Sequence, residues 1–249
     1  MSKIIKIATW NIGQDLMLSI SVRPERLSYE YIKEQIEQNE IDIIAFQEAI
    51  TESDNLEALA NYISENTKLK YNEQISLSPS DMNKNDKMGI AICSKFKISN
   101  NEKYILENPN LVYKKTDTVT YWSHDKGFNI SEIEEIDTIV IGGHCLPFHI
   151  FGETPLNYKK IYEKLEDKIL NVIKTKKNVV LVGDFNYTNI FELFSKLKDK
   201  MRCVYENENT RKDKQIDYIL TTKNIKHDNY KIIDTRFDHK LCVAELTID

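Results

Sequence analysis

A chain of 249 residues, 41% hydrophobic and 29% charged, has the composition of a soluble globular protein, which excludes a disordered tail, a collagen and a disulfide mini-protein. A chain of this length can bury roughly three quarters of its unfolded surface, so one domain over residues 1–249 needs no metal or disulfide merely to hold together. Lys and Arg number 34 against 39 Asp and Glu, a net charge of −5, which excludes coating nucleic acid by bulk electrostatics but leaves room for a local basic surface.

The N-terminal MSKIIKIATWN enters an alternating strand pattern without a charged leader or cleavage site, and no apolar run approaches the ~20 residues of a membrane span. The expectation is a cytoplasmic protein, monomeric by default, with no stable membrane association. Short β-branched runs predict strands at Ile4–Trp10, Ile41–Phe46, Gly89–Cys93, Thr138–Ile141, Val179–Val182, Tyr218–Leu220 and Leu241–Leu246. Between them, Leu27, Tyr31, Ile32 and Ile36 fit one helical face, and Leu56, Leu59, Ala60 and Ile63 a second. Ser76–Lys87 reads as a surface loop. A longer helix carries Tyr158, Ile161, Leu165, Ile169, Val172 and Ile173, with Thr154 as its N-cap and Pro155 at its first position; a weaker one covers Ile190–Leu197. Strands such as IIAF and VVLV are apolar on both faces, which predicts sheets covered on one side by helices and on the other by a second sheet. The cysteines at 93, 145, 203 and 242 form no CxxC pair and read as reduced and structural, which disfavours a zinc site.

Carboxylates, amides and imidazoles recur where the apolar runs stop. Asn11 ends KIATWN, Gln47 and Glu48 end DIIAFQE, His144 ends TIVIGGH, and Asp184 and Asn186 follow VVLV. Asp238 and His239 precede KLCVAEL, and an antiparallel last strand brings them to the same rim. Each alone is most simply a turn former. Together they suit a hard cation with oxygen ligands and a nearby acid/base histidine.

These residues carry a family resemblance. TWNIG (9–13), FQEA (46–49), MGIAICSKFKI (88–98), GGHCLPF (142–148), GDFNYT (183–188), QIDYIL (215–220) and DHK (238–240) resemble, in order, the motifs of the endonuclease/exonuclease/phosphatase superfamily, the deoxyribonuclease I-like fold. The resemblance implies an α/β (α+β) four-layer α/β/β/α sandwich of two mixed, largely antiparallel sheets flanked by helices. It also implies a hydrolase of phosphate esters dependent on Mg²⁺, with Mn²⁺ as a substitute. Carried over by position, Glu48 is the main metal ligand, with Asn11 beside it and Asp238 completing or supporting the site. Asp184 and Asn186 position or deprotonate water, Asp217 hydrogen-bonds His239, and His144 donates to the phosphate or leaving oxygen. A histidine there argues against the apurinic-endonuclease subgroup. Phe237 stands where a serine is common, and Asp86 is the nearest carboxylate to offer as partner of His144.

Lys126, in a KG pair, and Arg211, in the basic run RKDK (211–214), are the substrate-phosphate candidates. Trp122, with Tyr121, is the aromatic candidate for a base or sugar. Trp10 reads as core, and His149 as a rim histidine. The leading function is a nuclease acting on nucleic acid, DNA first. The alternatives are an inositol-phosphate or sphingomyelin type of phosphoesterase, against which no membrane-binding hydrophobic hairpin is legible, and a catalytically silent binding module.

Overall fold

The computed structural model describes residues 2–15, 27–80 and 82–249. Fourteen strands occur among them: β1 (Lys3–Asn11), β2 (Ile43–Glu52), β3 (Tyr71–Pro79), β4 (Lys87–Ser94), β5 (Asn100–Ile105), β6 (Val112–Lys114), β7 (Thr120–Trp122), β8 (Gly127–Ile133), β9 (Thr138–His144), β10 (Asn178–Asp184), β11 (Met201–Cys203), β12 (Asp217–Thr222), β13 (Lys226–Ile233) and β14 (Leu241–Ile248). The helices are α1 (Leu27–Gln38), α2 (Leu59–Asn66), α3 (Lys159–Thr175) and the short α4 (Ile190–Leu193). One sheet runs β13-β14-β1-β2-β4-β3, the other β11-β12-β10-β9-β8-β5, and β6 and β7 form a separate hairpin.

The layering follows from the side-chain alternation of the strands. Ile44 and Phe46 of β2 pack with Ile32 and Ile36 of α1 and Leu59 and Ile63 of α2, whereas Ile43 and Ala45 face Val140, Val180 and Val182 of the second sheet. On the far side, Leu181 and Ile141 meet Ile161, Leu165 and Ile169 of α3. The result is the expected α/β/β/α sandwich of two mixed sheets. The side chain of Leu27, assigned to the first helical face, lies outside the described residues.

Several boundaries differ from expectation. Leu56 precedes α2. Thr154 does cap, accepting from Leu156 N at 3.4 Å, but the turn it opens is a 3₁₀ segment, Pro155–Tyr158, that leads into α3. The weak fourth helix divides into α4 and a 3₁₀ turn at Leu197–Asp199. Ser76–Pro79, expected in a loop, belongs to β3; that strand lies at a sheet edge, where a terminal proline costs no ladder bond. Asp81 of the same expected loop is outside the described residues. β3, β5–β7, β11 and β13 have no apolar run to announce them because much of their length is exposed or half-buried, and buried β8 interleaves Asn129 and Ser131 with Phe128, Ile130 and Ile133.

Register places the functional rim. β1 and β2 are parallel, with Asn11 opposite Gln47; β9 and β10 are parallel, with His144 opposite Asp184; antiparallel β12 sets Asp217 opposite Asp184. β14 is antiparallel to β1, so the Asp238–His239 segment arrives at the same edge. Close approach here requires glycine. A Cβ on Gly183, whose φ is +150°, would stand 2.0 Å from the Gly143 carbonyl oxygen of the neighbouring strand. Gly183→Ala is expected to lower the unfolding free energy by about 2–3 kcal/mol, read as a drop in the urea midpoint. An unchanged midpoint would mean that β9 and β10 separate freely at this point.

Candidate active site

His144, Asp184 and Asp217 form one row across β9, β10 and β12, and Gly127 of β8 extends it, so Lys126 lies next to His144. Asn11 crosses from the other sheet: its Nδ2 donates to Asp184 Oδ2 at 2.9 Å, while its Oδ1 accepts from Gly13 N. Asp184 Oδ1 accepts from Asn186 N at 2.8 Å. His239 Nδ1 donates to the two oxygens of Asp217 at 3.0 and 2.9 Å, which leaves Nε2 facing Asp184 Oδ2 at 3.8 Å. Asn11, Glu48, His144, Asp184, Asn186, Arg211, Asp238 and His239 thus all line one cavity of about 250 Å³.

Glu48 does not end its strand. β2 continues to Glu52 through a bulge in which Gln47 pairs with Ile90, Ala49 pairs with Gly89, and Glu48 between them is unpaired at φ +55°. A left-handed glutamate costs about 1–2 kcal/mol, a strain of the kind found where function over-determines the backbone. Asn186, at φ +51°, shares it. The bulge aims Glu48 into the cavity, while the buried Gln47 is used structurally, accepting from Thr9 Oγ1 at 3.1 Å.

The environments split the titratable groups. Burial and the neighbouring Asp217 carboxylate push Asp184 up to about 7, against the pull of His239, Asn11 and the Asn186 amide. Burial works to lower His239, yet the charge and hydrogen bond of Asp217, with Asp184 and Asp238, outweigh it and raise the imidazole to about 9. At neutral pH His239 is a cation. His144 moves the other way: burial first, then Lys126, His239 and Arg211 hold it well below 6.5. Lys126 Nζ lies 3.2 Å from His144 Nδ1 and Asn186 Nδ2 lies 3.2 Å from Nε2, so the neutral ring sits between two donors, with Nε2 also 3.5 Å from Asp184 Oδ2 and 3.8 Å from Glu48 Oε1. The expectation of Asp86 as partner of His144 is therefore corrected: Asp86 accepts from Asn83 Nδ2, and a lysine takes its place behind the histidine.

Residues that hold a divalent cation must offer oxygens with spare lone pairs. Glu48 has them: its nearest polar neighbours among the described residues are Lys126 Nζ at 3.7 Å and His144 Nε2 at 3.8 Å, beyond hydrogen-bond length. Asp238 keeps Oδ1, since its Oδ2 accepts from both Nε and Nη2 of Arg211 at 2.9 and 2.7 Å. Asp184, Asp217 and His239 also cluster tightly, but both Asp217 oxygens serve His239, so that group reads as an acid–imidazole pair and not as a cage. The donor set fits a hard cation that prefers few carboxylates and keeps its own waters.

A model of the Endonuclease/Exonuclease/phosphatase family matches residues 8–235. The chain belongs to this family. Its members are metal-dependent phosphoesterases, and six of the seven motifs read from the sequence fall within the matched span, with DHK (238–240) three residues beyond it. A comparison with curated proteins finds no match. Among solved structures, the family member from Bacteroides vulgatus is 16% identical with a TM-score of 0.66, covering 99% of this chain and 100% of that one. The human Nocturnin catalytic domain, solved with a bound sulfate anion, is 16% identical with a TM-score of 0.67, over 99% and 95%. A mannosyl-6-phosphatase from Bacteroides thetaiotaomicron is 14% identical with a TM-score of 0.65, over 97% and 99%. The shared fold therefore hosts different substrates.

Two departures from the family pattern have structural answers. Phe237, in place of a small serine, is buried edge-on against Trp10 with centroids 5.1 Å apart, and the Trp10 indole donates to the His239 carbonyl, so the aromatic pair anchors the Asp238–His239 segment. Trp10 is core, as expected. The second is Lys95, which follows Ser94 in MGIAICSKFKI where the resembled motif frequently has arginine, and it pairs with Asp42 at 2.7 Å.

The substrate candidates divide. Lys126 is buried in the floor of the site, and Arg211 sits at its rim holding Asp238. His149, expected as a rim histidine, lines the cavity together with Ile150, five residues past His144. An exposed hairpin not legible in the sequence stands nearby: β6 and β7 expose Val112, Tyr113, Tyr121 and Trp122, the last 61% exposed. β6 packs near the 3₁₀ turn Phe148–Phe151, which carries His149 and Ile150. The hairpin's apolar residues come as two adjacent pairs, Val112–Tyr113 and Tyr121–Trp122, divided by the polar stretch 114–118, too short to register as hydrophobic runs. Among the described residues, no helix is long and apolar enough to cross a membrane.

Proposed function

We propose that the protein is a Mg²⁺-dependent phosphodiesterase acting on nucleic acid, with DNA the first substrate to test and Mn²⁺ an effective replacement. The observation that carries this reading is the pairing, within one cavity, of an uncommitted carboxylate, Glu48, with a hydrogen-bonded ladder Asn11–Asp184 and Asp217–His239. Glu48, Asn11 and Asp238 would hold the cation, which supplies electrostatic stabilisation of the phosphoryl oxygens. Asp184, raised to about 7, is poised to take a proton from water at neutral pH, oriented by Asn11 and the Asn186 amide. Cationic His239 presents Nε2–H to a phosphoryl oxygen, and neutral His144, held between Lys126 at Nδ1 and the Asn186 amide at Nε2, lines the same cavity beside the developing charge. The exposed aromatic hairpin beside the cavity supports a nucleic-acid substrate, because bases stack on such rings with little dependence on sequence.

The test is incubation of the purified protein with plasmid and oligonucleotide DNA, RNA, inositol phosphates and sphingomyelin vesicles, each with Mg²⁺ or chelator. Chelator-sensitive cleavage of nucleic acid, weakened several-fold in Trp122→Ala, is the expected result. Release of phosphate or phosphocholine with intact nucleic acid transfers the site to the other substrate class, and no reaction with any of them favours a binding module.

A further inference from the structure

The catalytic cavity does not stand alone. A second cavity of about 380 Å³ shares His149, Asn186 and Arg211 with it and continues past the turn Arg211–Lys214. That turn is a tight one: Arg211 N donates to Lys214 O and Lys214 N to Arg211 O, each at 3.0 Å. Lys212 at its tip has φ +50°, a left-handed conformation that a lysine adopts at a cost. Both Lys212 and Lys214 line the second cavity, and neither is ion-paired with a described carboxylate. Arg211 spends two of its five N–H donors on Asp238 and keeps three. His149, between the two cavities, is held below its ordinary range by partial enclosure and by the charges of Arg211 and Lys214. Against Arg211, Lys212 and Lys214 the same lining sets Glu153, whose Oε2 already accepts from Asn157, and Asp213, and the donors left free on the three cations suit a single anion.

The cationic stretch is short. A third cavity adjoins the second through Thr188, Asp213 and Lys214, and there Glu206 and Glu208 join Asp213. Its acidic lining repels a further phosphate.

We infer that the second cavity is a subsite for one additional phosphate of the substrate, so that the site recognises a reacting phosphate together with a single neighbour on this side. The inference rests on the phosphoesterase reading for the first phosphate and adds the second. That phosphate comes either from the next linkage of a strand or from a terminal monoester; the chemistry is common to both.

Two experiments separate the inference from the reading beneath it. In the first, with chelator and without turnover, deoxyadenosine 3′,5′-bisphosphate is compared with its 3′- and 5′-monophosphates by calorimetry. The bisphosphate is expected to bind at least tenfold tighter, and Lys212→Gln/Lys214→Gln, two exposed turn positions whose folding is checked by thermal melting, loses that advantage. Equal affinities in the wild type, or an advantage that survives in the variant, overturn the subsite. In the second, with Mg²⁺, kcat/KM is measured on TpT, pTpT, TpTp and TpTpT. One added phosphate is expected to raise it at least tenfold, the responding substrate shows whether a terminal or an internal phosphate is taken, and the variant loses the ratio. No gain with any of them again sinks the subsite. Selective bisphosphate binding without hydrolysis leaves the subsite standing and removes the proposed function.

Discussion

Glu48→Gln is expected to lower kcat/KM by about a thousandfold and to abolish its dependence on Mg²⁺ concentration in the millimolar range, the scale of losing one preorganised electrostatic group. The reason is specific to this carboxylate. Its neighbours Lys126 and His144 stay beyond hydrogen-bond length, so its charge is held in reserve for a cation. The amide keeps the shape and the bulge, and stability should move by less than about 0.5 kcal/mol, as for substitutions that leave packing intact. Calorimetric Mg²⁺ binding checks the assignment directly. Wild-type affinity in the variant would move the metal to other ligands.

The second large effect is at Asp184. Replacement by Asn is expected to cost about three to four orders of magnitude in turnover, the range attributed to a positioned general base. It should also stabilise the metal-free protein. An acid whose folded pKa, about 7, exceeds its unfolded value of 3.8 binds its proton more tightly in the folded state. Its contribution is therefore fully favourable below 3.8 and is lost as pH rises towards 7. The difference between 3.8 and about 7, in which His239 and the Asn11 hydrogen bond are already counted, sets a ceiling of about 4 kcal/mol, and relaxation around the buried charge reduces it, so a gain of about 1–3 kcal/mol at pH 8 is expected, vanishing below pH 4. His239 adds to the same trend. Its pKa is raised from 6.5 to about 9, so its stabilisation is complete below 6.5 and disappears as pH rises through 9. Urea titrations of wild type and Asp184→Asn across pH 4–9 in chelator read both. A flat difference between the two proteins would remove the buried, raised carboxylate from the account. Mg²⁺ should flatten the wild-type slope by favouring the ionised carboxylate.

This pattern, strain at Glu48 and Asn186 and a buried carboxylate that destabilises the fold at neutral pH, is stability given up for a prepared site. It explains why the same residues that disrupt local rules are those that converge on the cavity. The chemistry is carried by the ends of rigid strands, and the loops that frame it are left to select the substrate.

Much of this was readable from the chain alone. Hydrophobic runs of the right length place β1, β2, β4, β9, β10, β12 and β14, and two-sided apolar strands dictate a sandwich. A polar residue placed where such a run stops is legible because strand ends are local events, which is how Asn11, His144, Asp184 and His239 could be named, whereas Asp217 came only through the family resemblance. What only the tertiary structure decided is everything set by register and by meetings across the fold. The bulge that turns Glu48 inward, Lys126 behind His144 where a carboxylate was expected, Arg211 on Asp238, and the aromatic hairpin beside the cavity all depend on pairings between segments distant in sequence. The physical reason is that periodicity reports which face a residue buries, whereas a pKa, a tautomer or a free lone pair is fixed by which foreign atoms lie within about 4 Å, and packing alone determines those.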